Sequence, residues 1–164
     1  MKSLALLASA LLMLGLVATP ASAQETWMDR ISFKGDVRLR YEGIDEDGEE
    51  ERNRMRFRTR FGLNAIVTDD VKFVLQLASG GDNPVSTNQT FDDGFSTKDI
   101  GVDLAYVDWK VRDGLNVYAG KMKNPWYKAG GVPLIWDGDL NPEGFAAKFS
   151  SGGFFGTVGG FSAE

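Results

Sequence analysis

The chain has 164 residues, 43% apolar and 25% charged, with 20 Gly, no Cys, no His and a formal charge of -5. Without Cys or His it can build no disulfide, zinc finger, thiol nucleophile or imidazole base; no catalytic residue, cofactor or metal site is expected, and what remains is carboxylate, Arg/Lys and hydroxyl chemistry. Net negative charge argues against a nucleic-acid partner, and the apolar content is too high for a disordered chain.

Met1-Lys2 gives a positive start, residues 4–17 are almost wholly apolar, and Ala21-Ser22-Ala23 is the small-x-small pattern of a signal-peptidase site. Residues 1–23 are therefore expected to be a cleaved signal peptide, leaving 24–164 as the exported part. An apolar run of about 15 residues is short of the roughly 20 needed to span a bilayer as a helix. No Cys stands at the cleavage site to take a lipid.

Over residues 31–42 apolar Ile31, Phe33, Val37, Leu39 and Tyr41 alternate with Ser32, Lys34, Asp36, Arg38, Arg40 and Glu42. Period two predicts a strand with one apolar and one polar face. Met55, Phe57, Phe61, Leu63, Ala65 and Val67 repeat it against Arg54, Arg56, Arg58, Arg60 and Asn64. A third strand is expected over 71–79, with Lys72 and Gln76 on its polar face. Strands four and five are expected over 100–111 and 115–122; in the fourth, Leu104 and Tyr106 compete with Ala105, Val107, Trp109 and Val111 for the apolar face. Residues 145–150 and 154–162 complete a set of seven.

The connections between these strands run to 11, 3, 20, 3, 22 and 2 residues, long and short in strict alternation. Alternate connections of an up-and-down meander lie at opposite ends of the sheet, so one rim is trimmed and the other carries long loops, the asymmetry of outer-membrane barrels. Strands of 12 to 14 residues also exceed the globular mean of about 5 or 6 and suit a tilted crossing of the bilayer. The sequence thus predicts an all-β chain, the N-terminal part of an antiparallel transmembrane β-barrel with about seven strands present. A soluble exported β-protein shares the periodicity but has no reason to keep the loop rule.

Asp36-Val37-Arg38-Leu39-Arg40-Tyr41, the run from Arg54 to Gly62, Ala105-Tyr106-Val107-Asp108-Trp109-Lys110, Gly120-Lys121 with Asn124-Pro125, and Trp136-Asp137-Gly138-Asp139-Leu140-Asn141-Pro142-Glu143-Gly144 together resemble the putative porin family of Gram-negative outer membranes. The resemblance implies an aqueous channel for passive diffusion of small hydrophilic solutes, a homotrimer when full length, and outer-membrane lipid and lipopolysaccharide as surroundings. Seven strands are fewer than the even number, at least 8, of an ordinary bacterial barrel. The chain is accordingly expected to be the N-terminal portion of a longer porin.

Taking the even positions as lumenal, the wall would carry Lys34, Arg38, Arg40, Arg54, Arg56, Arg58, Arg60, Lys72, Lys110 and Lys148 against Asp36, Glu42 and Asp108. A basic wall suggests anion passage, because charge lining a narrow lumen concentrates counter-ions; the alternative is that the arginines pair with neighbouring carboxylates. The third long connection, residues 123–144, is expected to fold inward, with Asp137, Asp139 and Glu143 facing the 54–60 ladder. The opposite expectation is packing over the outer rim or a neighbouring subunit.

The acidic run at 45–51 lacks the sixth-position Gly and twelfth-position Glu of an EF-hand and reads as a solvated loop near divalent ions of the lipopolysaccharide layer. Asn88-Gln89-Thr90 forms a sequon, read as chance. Trp27, Trp109, Trp126, Tyr127 and Trp136 are candidates for interfacial girdles or loop packing. An enzymatic or an adhesive barrel is the competing class. A Ser-His hydrolase would need a His that these residues lack, and an adhesin would be expected to plug its lumen.

Overall fold

A computed structural model of the chain describes residues 26–91 and 94–163; the segment 1–23 expected to be a signal peptide lies outside them. Among the described residues the regular structure is almost entirely strand, and no helix is long and apolar enough to cross a membrane. A single turn of 3-10 helix, Trp27–Arg30, leads in, closed by the backbone N–H and hydroxyl of Thr26, which both donate to Asp29.

Eight strands follow: β1 Ile31–Ile44, β2 Arg52–Thr68, β3 Val71–Ser79, β4 Gln89–Thr90, β5 Ile100–Arg112, β6 Leu115–Lys121, β7 Glu143–Ser151 and β8 Phe154–Phe161. They form one antiparallel sheet in the order β1-β2-β3-β5-β6-β7-β8, with β4 paired to β2 off this path. The seven expected strands are therefore present in a neighbour-to-neighbour meander. The sheet is open, with β1 and β8 at its edges.

Two departures from the sequence reading have local causes. The β1–β2 hairpin pairs up to Ile44↔Arg52, which shortens the first connection from residues 43–53 to its acidic run, 45–51. The two-residue β4 was not foreseen: the second long connection returns to pair Thr90 with Arg56 and Gln89 with Phe57. β3 pairs with β2 only from Arg60 onward. The exposed upper part of the β2 edge thus takes its hydrogen bonds from this short segment, which reduces the number of open backbone groups.

Register assigns every side chain to a face. Pairs Asp36↔Arg60, Arg38↔Arg58, Arg40↔Arg56 and Glu42↔Arg54 lie on one side, and Val37↔Thr59, Leu39↔Phe57 and Tyr41↔Met55 on the other. Carried across the sheet through Lys72↔Asp108, Asp108↔Tyr118 and Lys148↔Thr157, the polar face continues to β8. The apolar face is bare: Val37, Leu39 and Phe145 are 71%, 68% and 63% exposed. The buried residues sit on the polar side instead, Leu104 and Met122 at 1% and Ala146 at 0%. This inversion of a water-soluble protein is what a sheet facing hydrocarbon on its apolar side requires.

The competing parities of β5 resolve at a bulge. Gln76 pairs with Leu104 and Leu77 with Val102, so Asp103 is the extra residue. Ile100 and Val102 share the apolar face below it in sequence, and Ala105, Val107, Trp109 and Val111 above; Leu104 and Tyr106 belong to the polar face. The tight-turn rim carries exposed Trp27, Trp109 and Phe154. There Asp113 accepts a hydrogen bond from Lys110 at 2.6 Å, which holds its carboxyl below the usual range.

Candidate functional site

The polar face of the β1–β2 hairpin concentrates six guanidinium groups around two carboxylates. Asp36 binds Arg58 through Oδ1, at 2.6 Å from Nη2 and 3.1 Å from Nε, and Arg60 through Oδ2 at 2.8 Å. Glu42 accepts from Arg54 at 2.8 Å, Arg40 at 2.9 Å and Arg56 at 3.2 Å. Such charge-assisted bonds explain how Arg38↔Arg58 and Arg40↔Arg56 can stand directly opposite each other across the strands, a like-charge arrangement that is otherwise destabilising. Four of the six positive charges are left in excess. Arg38, the sixth, meets no carboxylate among the described residues; its Nη2 donates to the side-chain oxygen of Asn88 at 2.5 Å.

The remaining expected wall residues are on the same face but spread apart. Lys34 lies opposite Gly62, and Lys72 opposite Asp108. The Asp108 carboxylate accepts from Asn116 at 2.7 Å, and the Lys148 ammonium sits 5.5 Å over the Tyr118 ring. Lys110 turns to Asp113 at the rim.

Two long connections cover this face. From the second, Asn88 bonds Arg38, while its backbone oxygen and the Ser86 hydroxyl accept from Arg56 at 3.1 and 3.4 Å. The third connection, residues 122–142, begins against β8. Trp126 meets Phe161 edge-on at 5.8 Å between ring centroids, Tyr127 meets Phe155 at 5.0 Å, and Thr157 donates to the Pro125 carbonyl. Phe155, Thr157 and Phe161 all lie on the polar face by register. Its other end returns beside β5, where Asn141 donates to Asp103 at 2.6 Å.

The three acidic candidates of this connection part company. Asp137 closes its own turn by accepting from the Asp139 backbone N–H at 2.7 Å. Asp139 lines the cavity between the second and third connections. Glu143 is a correction: it is the first residue of β7, opposite Lys121, and its carboxylate binds the Lys121 ammonium at 2.7 Å instead of facing the ladder. A cavity of about 260 Å³ lies where the two connections meet, with Ser79, Ser86, Thr87, Asp103, Lys121, Asp139 and Asn141 among its walls.

The sequence reading missed the role of the second connection. Asn88, set aside as part of a chance sequon, is the residue that ties it to the ladder. No period marked it; Gln89 and Thr90 beyond it pair with β2, and Phe91 stacks on Phe57 at 5.1 Å. Trp126 and Tyr127 pack the third connection against β8, and within the connection the Trp136 indole donates to the Leu140 carbonyl at 3.0 Å. Among the described residues no group of three or more Asp or Glu could hold a metal ion.

An amphipathic antiparallel meander with a bare apolar face, a charged opposite face and long connections laid over that charged face resembles the wall of an outer-membrane barrel. Residues 44–163 match the family described as putative porin, and the chain belongs to that family. No curated protein sequence matches it. Membership implies a porin-like role and an outer-membrane location.

Proposed function

We propose that the chain forms the N-terminal part of the wall of a water-filled, anion-preferring diffusion channel for small hydrophilic solutes. The observation that carries this reading is the surplus of guanidinium over carboxylate on the polar face of β1 and β2. Same-face residues repeat every 6.8 Å or so along a strand, inside the Debye length of about 8 Å at physiological salt, so their potentials overlap.

The two free edges argue for closure by further strands, since unpaired backbone groups in hydrocarbon cost several kcal/mol each. Residues 1–23 serve as the cleaved export signal, and the assembled channel is a homotrimer surrounded by lipid and lipopolysaccharide. In this reading the third connection narrows the channel, because both of its ends are fixed to the inner face.

The test is the reversal potential of the assembled channel in a KCl gradient. Anion preference is expected, falling when Arg54, Arg56, Arg58 and Arg60 are replaced together by Gln. An unchanged reversal potential rejects the ladder as the selectivity element. Loss of assembly in that variant shows the arginines to be structural partners of Asp36 and Glu42.

A further inference from the structure

The six ladder arginines of β1 and β2, Arg38, Arg40, Arg54, Arg56, Arg58 and Arg60, are unequal, and the inequality defines a place rather than a diffuse field. Five of them are spoken for by Asp36 or Glu42. Arg38 is seated between those two clusters, with Arg58 directly opposite, and holds only a neutral amide oxygen at 2.5 Å. The Nε atoms of Arg38, Arg54 and Arg56 are buried and have no acceptor. Buried donors without acceptors are uncommon and mark a position where a ligand or water belongs.

The group that occupies the seat is held lightly. Asn88 offers Arg38 one oxygen with no formal charge, while its amide and backbone N–H donate to Ser86 and its backbone oxygen accepts from Arg56; the side-chain oxygens of its neighbours Thr87 and Gln89 are themselves buried without partners among the described residues. A guanidinium presents a planar fork that matches two oxygens of one anion, and such charge-assisted pairs are roughly twice as strong as neutral ones.

The geometry points to Arg38 as a saturable docking site for an oxyanion, a phosphate or a carboxylate group of a passing solute, which takes the place of the Asn88 amide and loosens the second connection from the wall. This rests on the anion-channel reading and adds to it one bound stop, a ligand class and a moving part. Displacement of the Asn88 amide leaves the segment attached through the Arg56 bonds to the Asn88 backbone oxygen and the Ser86 hydroxyl, the Ser79 bond to the Thr87 carbonyl, the β4 pairing to β2 and the Phe57–Phe91 stack, so the connection shifts without unfolding.

The experiment uses the assembled channel in a planar bilayer at fixed chloride, with inorganic phosphate and acetate titrated separately and bromide as the control. Chloride current is expected to fall along a saturating curve with at least one of the two oxyanions, and which one acts assigns the site to phosphate or to carboxylate. The half-inhibiting concentration should rise about tenfold in Arg38→Gln, the equivalent of about 1.4 kcal/mol. It should fall in Asn88→Ala, where the competing amide is gone, and rise in Asn88→Asp, where a tethered carboxylate fills the seat. Inhibition equally strong with bromide, or curves unchanged in both Arg38→Gln and Asn88→Ala, overturns the site. Reversal potentials recorded on the same channels without oxyanion separate the two ideas: retained anion preference with no saturation defeats the docking site alone, whereas absent preference defeats the channel reading beneath it.

Discussion

The side-chain amide of Asn141 donates to the carboxylate of Asp103 at 2.6 Å, joining the end of the third connection to the bulge of β5. The second carboxylate oxygen of Asp103 accepts from Gln76 on β3, also at 2.6 Å, and Asn141 reaches the Asp103 backbone oxygen as well. An extra residue in a strand re-aims its side chain. Here that residue becomes the bracket on which the connection hangs.

Asn141→Ala should release this end. Hydrogen bonds to a charged group contribute about 1.5–3 kcal/mol, enough to raise the population of detached connection many-fold while the strand pairing remains. Trypsin cleavage after Lys128 is the measurement. Faster cleavage in the variant with unchanged heat resistance of the barrel is expected, and equal cleavage rates would mean that the bracket is redundant.

Deleting residues 130–139 should raise single-channel conductance, because the segment lies between two anchors on the inner face. Trp126→Ala should act in the same direction and less strongly: an aromatic pair contributes about 0.5–1.5 kcal/mol beyond the area it buries, and Tyr127 still holds Phe155. If neither change alters conductance in normally assembled channels, the third connection does not narrow the pore.

Glu42→Gln removes the carboxylate that serves Arg40, Arg54 and Arg56. Anion preference should increase and heat stability should fall, the reverse of what the arginine replacements do to selectivity. The gain should be largest in dilute salt and fade toward 1 M, where the Debye length is only about 3 Å. A selectivity change that ignored salt would assign the effect to pore shape instead of charge.

Gly120 has φ of 118°, and a Cβ built on it would run into the Ala105 carbonyl oxygen of β5. Gly120→Ala should therefore disturb the β5–β6 pairing, at about 1–2 kcal/mol for the left-handed backbone alone. Lower yield of heat-resistant channel checks this. Normal yield would show that the strand can rotate away.

The strands were legible because each faces two different environments, and alternation of apolar and charged residues records that directly. Isolated faults in the pattern had isolated causes. Leu104 broke the parity of β5 because one bulged residue shifts the phase and because a side chain on the polar face is buried there. The ladder was legible as a row of arginines, and the pairing of five of them with Asp36 and Glu42 follows from register, which hairpin ends alone leave open by several residues. Asn88 could not be found by period, since its role depends on a return of the chain across some fifty positions to Arg38. Glu143 was misplaced for a simpler reason: the strand begins two residues earlier than its first aromatic side chain, Phe145.

Every long strand pairs with the next long strand along the chain, and among the described residues only the short β4 reaches past a neighbour. Contacts of this kind close small loops and form early, whereas pairings distant in sequence must first meet a larger entropy of closure. The meander can therefore grow one hairpin at a time, each new strand finding an unoccupied ladder of N–H and C=O groups left by the last. The edge of β8 presents the same kind of unoccupied ladder.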